Sequence, residues 1–153
     1  MNEKKYILAY GVLREGGWLY DFYHDVGEFN YIETTEQYGF NMFDLGNFPV
    51  VRATSSLNSD EITCDIIECS QETFEDIYEQ QMRNGFYLLK IIRVIKKLQK
   101  SVPCYIFLWK NPVSDQYIVK GGDWYKHILK NKLKNEQNIK QEELELSFSR
   151  SNN

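Results

Sequence analysis

The chain has 153 residues, of which 42% are hydrophobic and 15% aromatic, enough for one packed domain and too apolar for disorder across its body. A net charge of −4 argues against the concentrated basic face that a phosphate backbone requires, so no nucleic-acid partner is expected. The three cysteines, Cys64, Cys69 and Cys104, are odd in number and follow no metal spacing, which reads as core thiols in a reducing compartment.

The opening "MNEKKYILAYG" carries a charged start and a short apolar run, too short for a signal peptide or a membrane span. No membrane association is expected, and the default location is cytoplasmic. Tyr6–Tyr10 suits a buried strand ending at Gly11, followed by the glycine loop "GVLREGG". Trp18–His24 then reads as a short helix. Glu28–Thr34 and Gly39–Leu45 are strand candidates, with "LGNFPV" as a turn punctuated by Gly46 and Pro49. "LNSDE" is expected to be a surface loop. Tyr20, Tyr23, Tyr31 and Tyr38 cluster early, either as packing residues or as a recognition surface.

Glu61–Cys69 alternates as a strand does. Ser70 follows as an N-cap, with acids in the first turns of a helix whose Phe74, Ile77 and Gln81 share one face. After the turn at Asn84-Gly85, Phe86–Ile95 and Val102–Trp109 read as a long antiparallel pair joined by a loop at Lys96–Ser101. "YIVKGGDWYKHIL" predicts a short strand, a glycine turn and a helix starting at Asp123, itself a candidate N-cap. From about residue 130 the composition shifts to Lys, Asn, Gln and Glu. We therefore expect a domain over 1–130 and a polar tail over 131–153, partly helical or disordered. Strands not separated by regular helices favour an α+β fold over a doubly wound sheet.

Most chemical motifs are missing. "YGVLREGG" sits at a strand end, where backbone N–H groups are exposed, but it lacks both G-x-x-x-x-G-K-S/T and G-x-G-x-x-G. His24 and His127 are far apart, without the companions that a metal site or a triad needs, and no serine stands in a G-x-S-x-G elbow.

Taken in order, however, the fragments resemble the γ-glutamylcyclotransferase-like family, especially its γ-glutamylamine cyclotransferase branch. "YGVLREGGW" resembles the family's Y-G-S/T-L-R-x-G opening, and "GFNMFDLGNFPVV" its central G-x-Y/F-P segment. "CDIIECSQETFEDI" is similar to the following strand and helix, with Asp65 where the family has glutamate. "NGFYLL", "PCYIFLW" and "GGDW" match the later strands and the closing G-D-W. The resemblance covers about Tyr6 to Leu129.

It implies a small mixed or antiparallel β-barrel flanked by helices, acting without metal or cofactor. Its small-molecule site would be formed by the loop of Tyr10, Gly11, Val12 and Leu13, by Tyr87, and by a glutamate ending the central helix. In such enzymes the substrate's α-amine attacks its own γ-carbonyl, and 5-oxoproline forms as the amine departs. A base must take the ammonium proton and an acid must return one to the leaving nitrogen. Counting back from Phe86-Tyr87 places Gln81 at the position of that glutamate, with Tyr78 and Met82 also departing from the family's pattern.

A carboxamide keeps the shape of a carboxylate but takes up no proton near neutral pH. Glu79 is the nearest acid, yet it lies roughly 200° around the helix from Gln81. Asp65 is the one candidate for a rescue acid. The glutamine is either natural divergence, giving an inactive form, or an engineered replacement that traps an enzyme; the changes at Tyr78 and Met82 favour divergence. The alternative function is a non-catalytic binding module recognising a small ligand of γ-glutamyl type or a protein partner.

Overall fold

The computed structural model describes residues 3–54 and 60–151, with side chains described as far as residue 147. The chain divides into two units, Met1–Asp123 and Trp124–Asn153.

The first unit is α+β. Its strands are β1 (Lys4–Ala9), β2 (Phe29–Tyr38), β3 (Phe40–Asp44), β4 (Pro49–Ala53), β5 (Glu61–Ser70), β6 (Phe86–Ile95) and β7 (Lys100–Trp109). Helix α1 (Trp18–Val26) follows β1, and α2 (Gln71–Arg83) links β5 to β6. Five strands form a mixed sheet in the order β2-β5-β1-β7-β6, in which only β1 and β7 are parallel, and β3 and β4 form a separate hairpin.

The sequence accounts for these positions. β1 and β5 are central and covered on both faces, and they read as nearly continuous apolar runs. Ile7, Leu8, Ile66 and Ile67 are accordingly almost fully buried. β6 is an edge strand and alternates, placing Lys90, Ile92 and Val94 outward.

The sheet does not close, so the word barrel applies loosely. Its two edges approach through side chains instead of a backbone ladder. Arg93 of β6 donates to the Glu36 carbonyl at 3.0 Å and to Thr35 Oγ1 at 2.6 Å on β2. Just beyond β6, the Lys97 N–H donates to Glu33 at 2.9 Å.

Ser70 caps α2, its hydroxyl accepting from the Thr73 N–H at 3.2 Å. At the other end Asn84 donates to the Gln80 and Gln81 carbonyls, and Gly85 follows at φ +94°, the left-handed conformation glycine adopts without cost. Phe74 and Ile77 bury the inner face of α2. On α1, Tyr20 and Tyr23 are buried with their rings tilted onto Phe29, whereas Tyr38 is exposed, so the early tyrosines divide between packing and surface.

Three local expectations are corrected. "LGNFPV" is not wholly a turn, because Pro49 opens β4; the missing N–H of proline is tolerated at the first residue of a strand. The segment Lys96–Ser101 tightens into a short 3₁₀ turn at Lys96–Leu98, and β7 already begins at Lys100. No regular strand forms at "YIVK". Asp115–Tyr117 is a 3₁₀ turn, and Ile118 makes a single bridge to Phe43. Most of the "LNSDE" segment lies outside the described residues.

The second unit is helix α3 (Trp124–Ser151). Its apolar residues do not gather into one stripe, and Leu133, Ile139, Leu144 and Leu146 are all exposed. Among the described residues no helix is long and apolar enough to cross a membrane.

Candidate active site

The loop after β1 is held from three directions. Ala9 pairs with Asp65 of β5. One residue later, the buried Tyr10 hydroxyl donates to the Phe107 carbonyl of β7 at 2.6 Å. Burial keeps that phenol far above its ordinary pKa, so it stays a neutral donor at all physiological pH values. The loop then turns back on itself through Arg14 N–H to the Gly11 carbonyl at 3.0 Å.

Two glycines allow close approaches. A Cβ on Gly11 would meet the Pro49 ring at 2.8 Å, and one on Gly17 would fall 2.2 Å from the Val12 carbonyl oxygen. That same oxygen accepts from the Tyr20 N–H of α1 at 3.1 Å, tying the loop to the helix.

The third direction is electrostatic. Arg14, only 7% exposed, sits between Asp65 (Nε to Oδ2, 3.3 Å) and Asp123 (Nη1 to Oδ1, 3.2 Å). Burial opposes the guanidinium charge, but the two carboxylates outweigh it and raise the pKa of Arg14. Asp65 is 3% exposed and also accepts from the Glu15 N–H at 3.0 Å and the Thr34 hydroxyl at 2.8 Å. Removing this carboxylate would leave the buried Arg14 charge less compensated and two donors without their acceptor.

The loop forms one wall of a cavity of about 550 Å³. Tyr10, Gly11, Val12 and Leu13 line it, and Gln81 of α2 enters from another side. Ile7, Leu8, Ala9, Phe86 and Phe107 form apolar wall, Asn84 stands at the end of α2, and Trp18, Asn47, Phe48 and Pro49 complete the lining. Among the described residues the amides of Val12 and Leu13 have no protein acceptor, so the loop offers backbone N–H groups to a ligand.

Of the expected site residues, Tyr10, Gly11, Val12, Leu13 and Gln81 thus share one cavity. Tyr87 does not line it. Strand alternation puts Tyr87 on the opposite face of β6 from Phe86, so Phe86 lines the cavity and Tyr87, 40% exposed, does not. Asp65 is not in the lining either, because it is committed to Arg14. The acids of α2 face elsewhere: Glu72, Glu75, Asp76 and Glu79 border a different groove, shared with Phe22, Tyr23 and Val26 of α1. Asp76 accepts from the Tyr23 hydroxyl there, and burial together with that carboxylate raises the Tyr23 pKa to about 12.

No formally charged side chain is among the described residues lining this cavity. The three cysteines are buried as free thiols in the sheet, their pKa values raised to about 11–12 chiefly by desolvation, and none lines the cavity.

A family model described as gamma-glutamyl cyclotransferase, AIG2-like, matches residues 7–126, which include the loop, α2 and both strands of the β6–β7 pair. The chain belongs to this family. No curated protein matches it by sequence. Among solved structures it is similar to an uncharacterized protein of Pyrococcus horikoshii (20% identity, TM-score 0.64, covering 84% of this chain and 96% of that one). An AIG2-like protein of Mus musculus gives 12% identity and a TM-score of 0.62, with 80% and 88% covered. A structure titled gamma-glutamyl cyclotransferase gives 16% identity and a TM-score of 0.53, with 75% and 74% covered. At these identities the likeness to structures concerns the fold, and the family assignment rests on the sequence match.

Sequence reasoning missed the clamp between Arg14 and Asp123 and the aromatic rim of Trp18 and Phe48. The clamp had a visible signal in the arginine of "YGVLREGG" and the aspartate of "GGDW". Phe48 was concealed inside a segment read as a turn.

Proposed function

We propose that this cavity binds γ-glutamyl amines or peptides in the cytoplasm, and that the polypeptide with Gln81 is an inactive or trapped form of a cyclotransferase. The observation that supports this reading is the presence of Gln81 in the same cavity as the Tyr10–Leu13 loop. In the reaction, the α-amine nitrogen forms a bond to the γ-carbonyl carbon, the bond from that carbon to the amine nitrogen breaks, and 5-oxoproline and free amine result. The N–H groups of Val12 and Leu13 are available to stabilise the oxyanion between these steps.

The ammonium must first lose a proton, and the leaving nitrogen must gain one. A carboxylate at position 81 could do both in turn. A glutamine can hydrogen-bond the substrate but carries no proton between those atoms. Asp65 does not compensate in this reading, since its charge is engaged by Arg14 and its oxygens by the loop and Thr34. Loss of general acid–base action lowers rates by roughly 10²–10⁴-fold.

The test is 5-oxoproline release from a panel of γ-glutamyl amines. The Gln81 protein is expected to bind without turnover and Gln81→Glu to release 5-oxoproline. Robust turnover by the Gln81 protein would overturn the proposal. A second reading, a binding module without catalysis, is favoured by the absence of charged side chains among the described lining residues. Binding without turnover by Gln81→Glu would support that module over a silenced enzyme.

A further inference from the structure

The proposed function leaves open what kind of amine the γ-glutamyl group carries. The cavity lining bears on this point. A γ-glutamyl peptide carries a second carboxylate on its leaving half, and a γ-glutamyl diamine carries an extra ammonium. Neither would meet a counter-charge among the described lining residues, and an unpaired charge moved from water into an apolar site is strongly disfavoured. The carboxylate of the γ-glutamyl head differs, because backbone N–H groups of the loop can receive it.

The rim supplies the positive half of the argument. Trp18 is 69% exposed and Phe48 is 40% exposed, the first opening α1 and the second in the β3–β4 turn. Both line the cavity whose inner wall includes the buried Ile7, Ala9 and Phe107. They therefore stand at its mouth, where the leaving amine must exit. Phe48 is braced edge-on by Trp109 at 6.5 Å, and Trp109 in turn packs on Phe86 at 5.0 Å, so this rim is built into the fold. Aromatic side chains that stay in water until a ligand covers them favour an apolar or aromatic occupant.

We propose that the ligand's amine half is uncharged and apolar, an alkyl or aryl amine seated between Trp18 and Phe48. This rests on the γ-glutamyl reading of the loop. Asn47, Asn84 and Gln81 supply neutral hydrogen-bonding groups around it, which suit the scissile amide without demanding any charge.

The experiment is calorimetric titration of the Gln81 protein with three probes: γ-glutamyl methylamide, γ-glutamyl phenethylamide and γ-glutamylglycine. The phenethylamide is expected to bind about tenfold or more tightly than the glycine conjugate. Trp18→Ala and Phe48→Ala should remove that preference, lowering the phenethylamide affinity several-fold more than the methylamide affinity, with folding of each variant checked by its denaturation midpoint. Equal affinities, or tighter binding of the glycine conjugate, overturn the inference and leave the γ-glutamyl reading standing if the methylamide binds. A preference that survives in both variants overturns the role of the rim. If none of the three probes binds, the γ-glutamyl reading itself falls, and the inference falls with it.

Discussion

Asp65 links the loop to the sheet, and Asp65→Ala tests whether it acts as a clamp or as a reserve acid. The substitution removes the carboxylate 3.3 Å from Arg14 Nε, together with the acceptor of the Glu15 N–H and of the Thr34 hydroxyl. Deleting one partner of a buried ion pair costs about 3–5 kcal/mol when the other charge is left uncompensated. Arg14 keeps Asp123 at 3.2 Å, which favours the lower end of that range. The loss of two further hydrogen bonds to a charged acceptor, about 1.5–3 kcal/mol each where fully buried, argues against going lower still.

A destabilisation of about 3 kcal/mol is expected, or a fall in melting temperature on the order of 10 °C. Urea denaturation measures it, with an unchanged slope showing that the native and unfolded states compared are the same. Asp65→Asn should recover part of the loss, since its amide oxygen still accepts one bond. A cost below about 1 kcal/mol for Asp65→Ala would refute the clamp. Loss of turnover at full stability in Asp65→Asn, in a background with Gln81→Glu, would make Asp65 a chemical participant.

Gly17→Ala should destabilise by about 1–3 kcal/mol and weaken ligand binding, because its methyl would overlap the Val12 carbonyl that anchors α1; unchanged binding and midpoint would show that the loop adapts. Stability in reducing buffer should decline above about pH 9, the ordinary value of a thiol. The fold raises Cys64 and Cys69 to about 12 and Cys104 to about 11, so it favours the neutral thiols; their contribution is whole below the unfolded pKa and is lost as pH climbs toward the folded values. Urea midpoints compared at about pH 8 and pH 10.5 measure this, and a decline that Cys64→Ala does not reduce would count against the cysteines as its source. Truncation after Lys134 should leave the midpoint of the body nearly unchanged, since Ile139, Leu144 and Leu146 are exposed; a drop of several degrees would place part of the tail in the stabilised unit.

What the sequence disclosed depended on how far apart the interacting residues stand. Local signals carried well: Ser70 as a cap, the glycine turn at Gly85 and the apolar runs of β1 and β5 arise from contacts a few residues long. The clamp did not carry, because Arg14 and Asp123 are separated by 109 residues and Arg14 and Asp65 by 51, and no local pattern marks such a meeting. β4 was hidden for a different reason. Proline weighs against strand in any local reading, yet Pro49 occupies the first position of a strand, where its missing N–H is tolerated.

Helix α2 joins the local and the long-range levels. Its period puts Phe74, Ile77 and Gln81 on one side and Glu72, Glu75, Asp76 and Glu79 on others, which the sequence alone implies. The fold gives each side a destination: the first meets the sheet and the cavity, the second the groove beside α1. A helix rich in acids thereby presents an amide to the cavity. Moving one of those acids inward would require a register shift that also turned Ile77, now fully buried, toward solvent. Because that rotation would expose core surface, packing keeps the carboxylates of α2 away from this wall, and residue 81 is the position through which the helix meets the cavity.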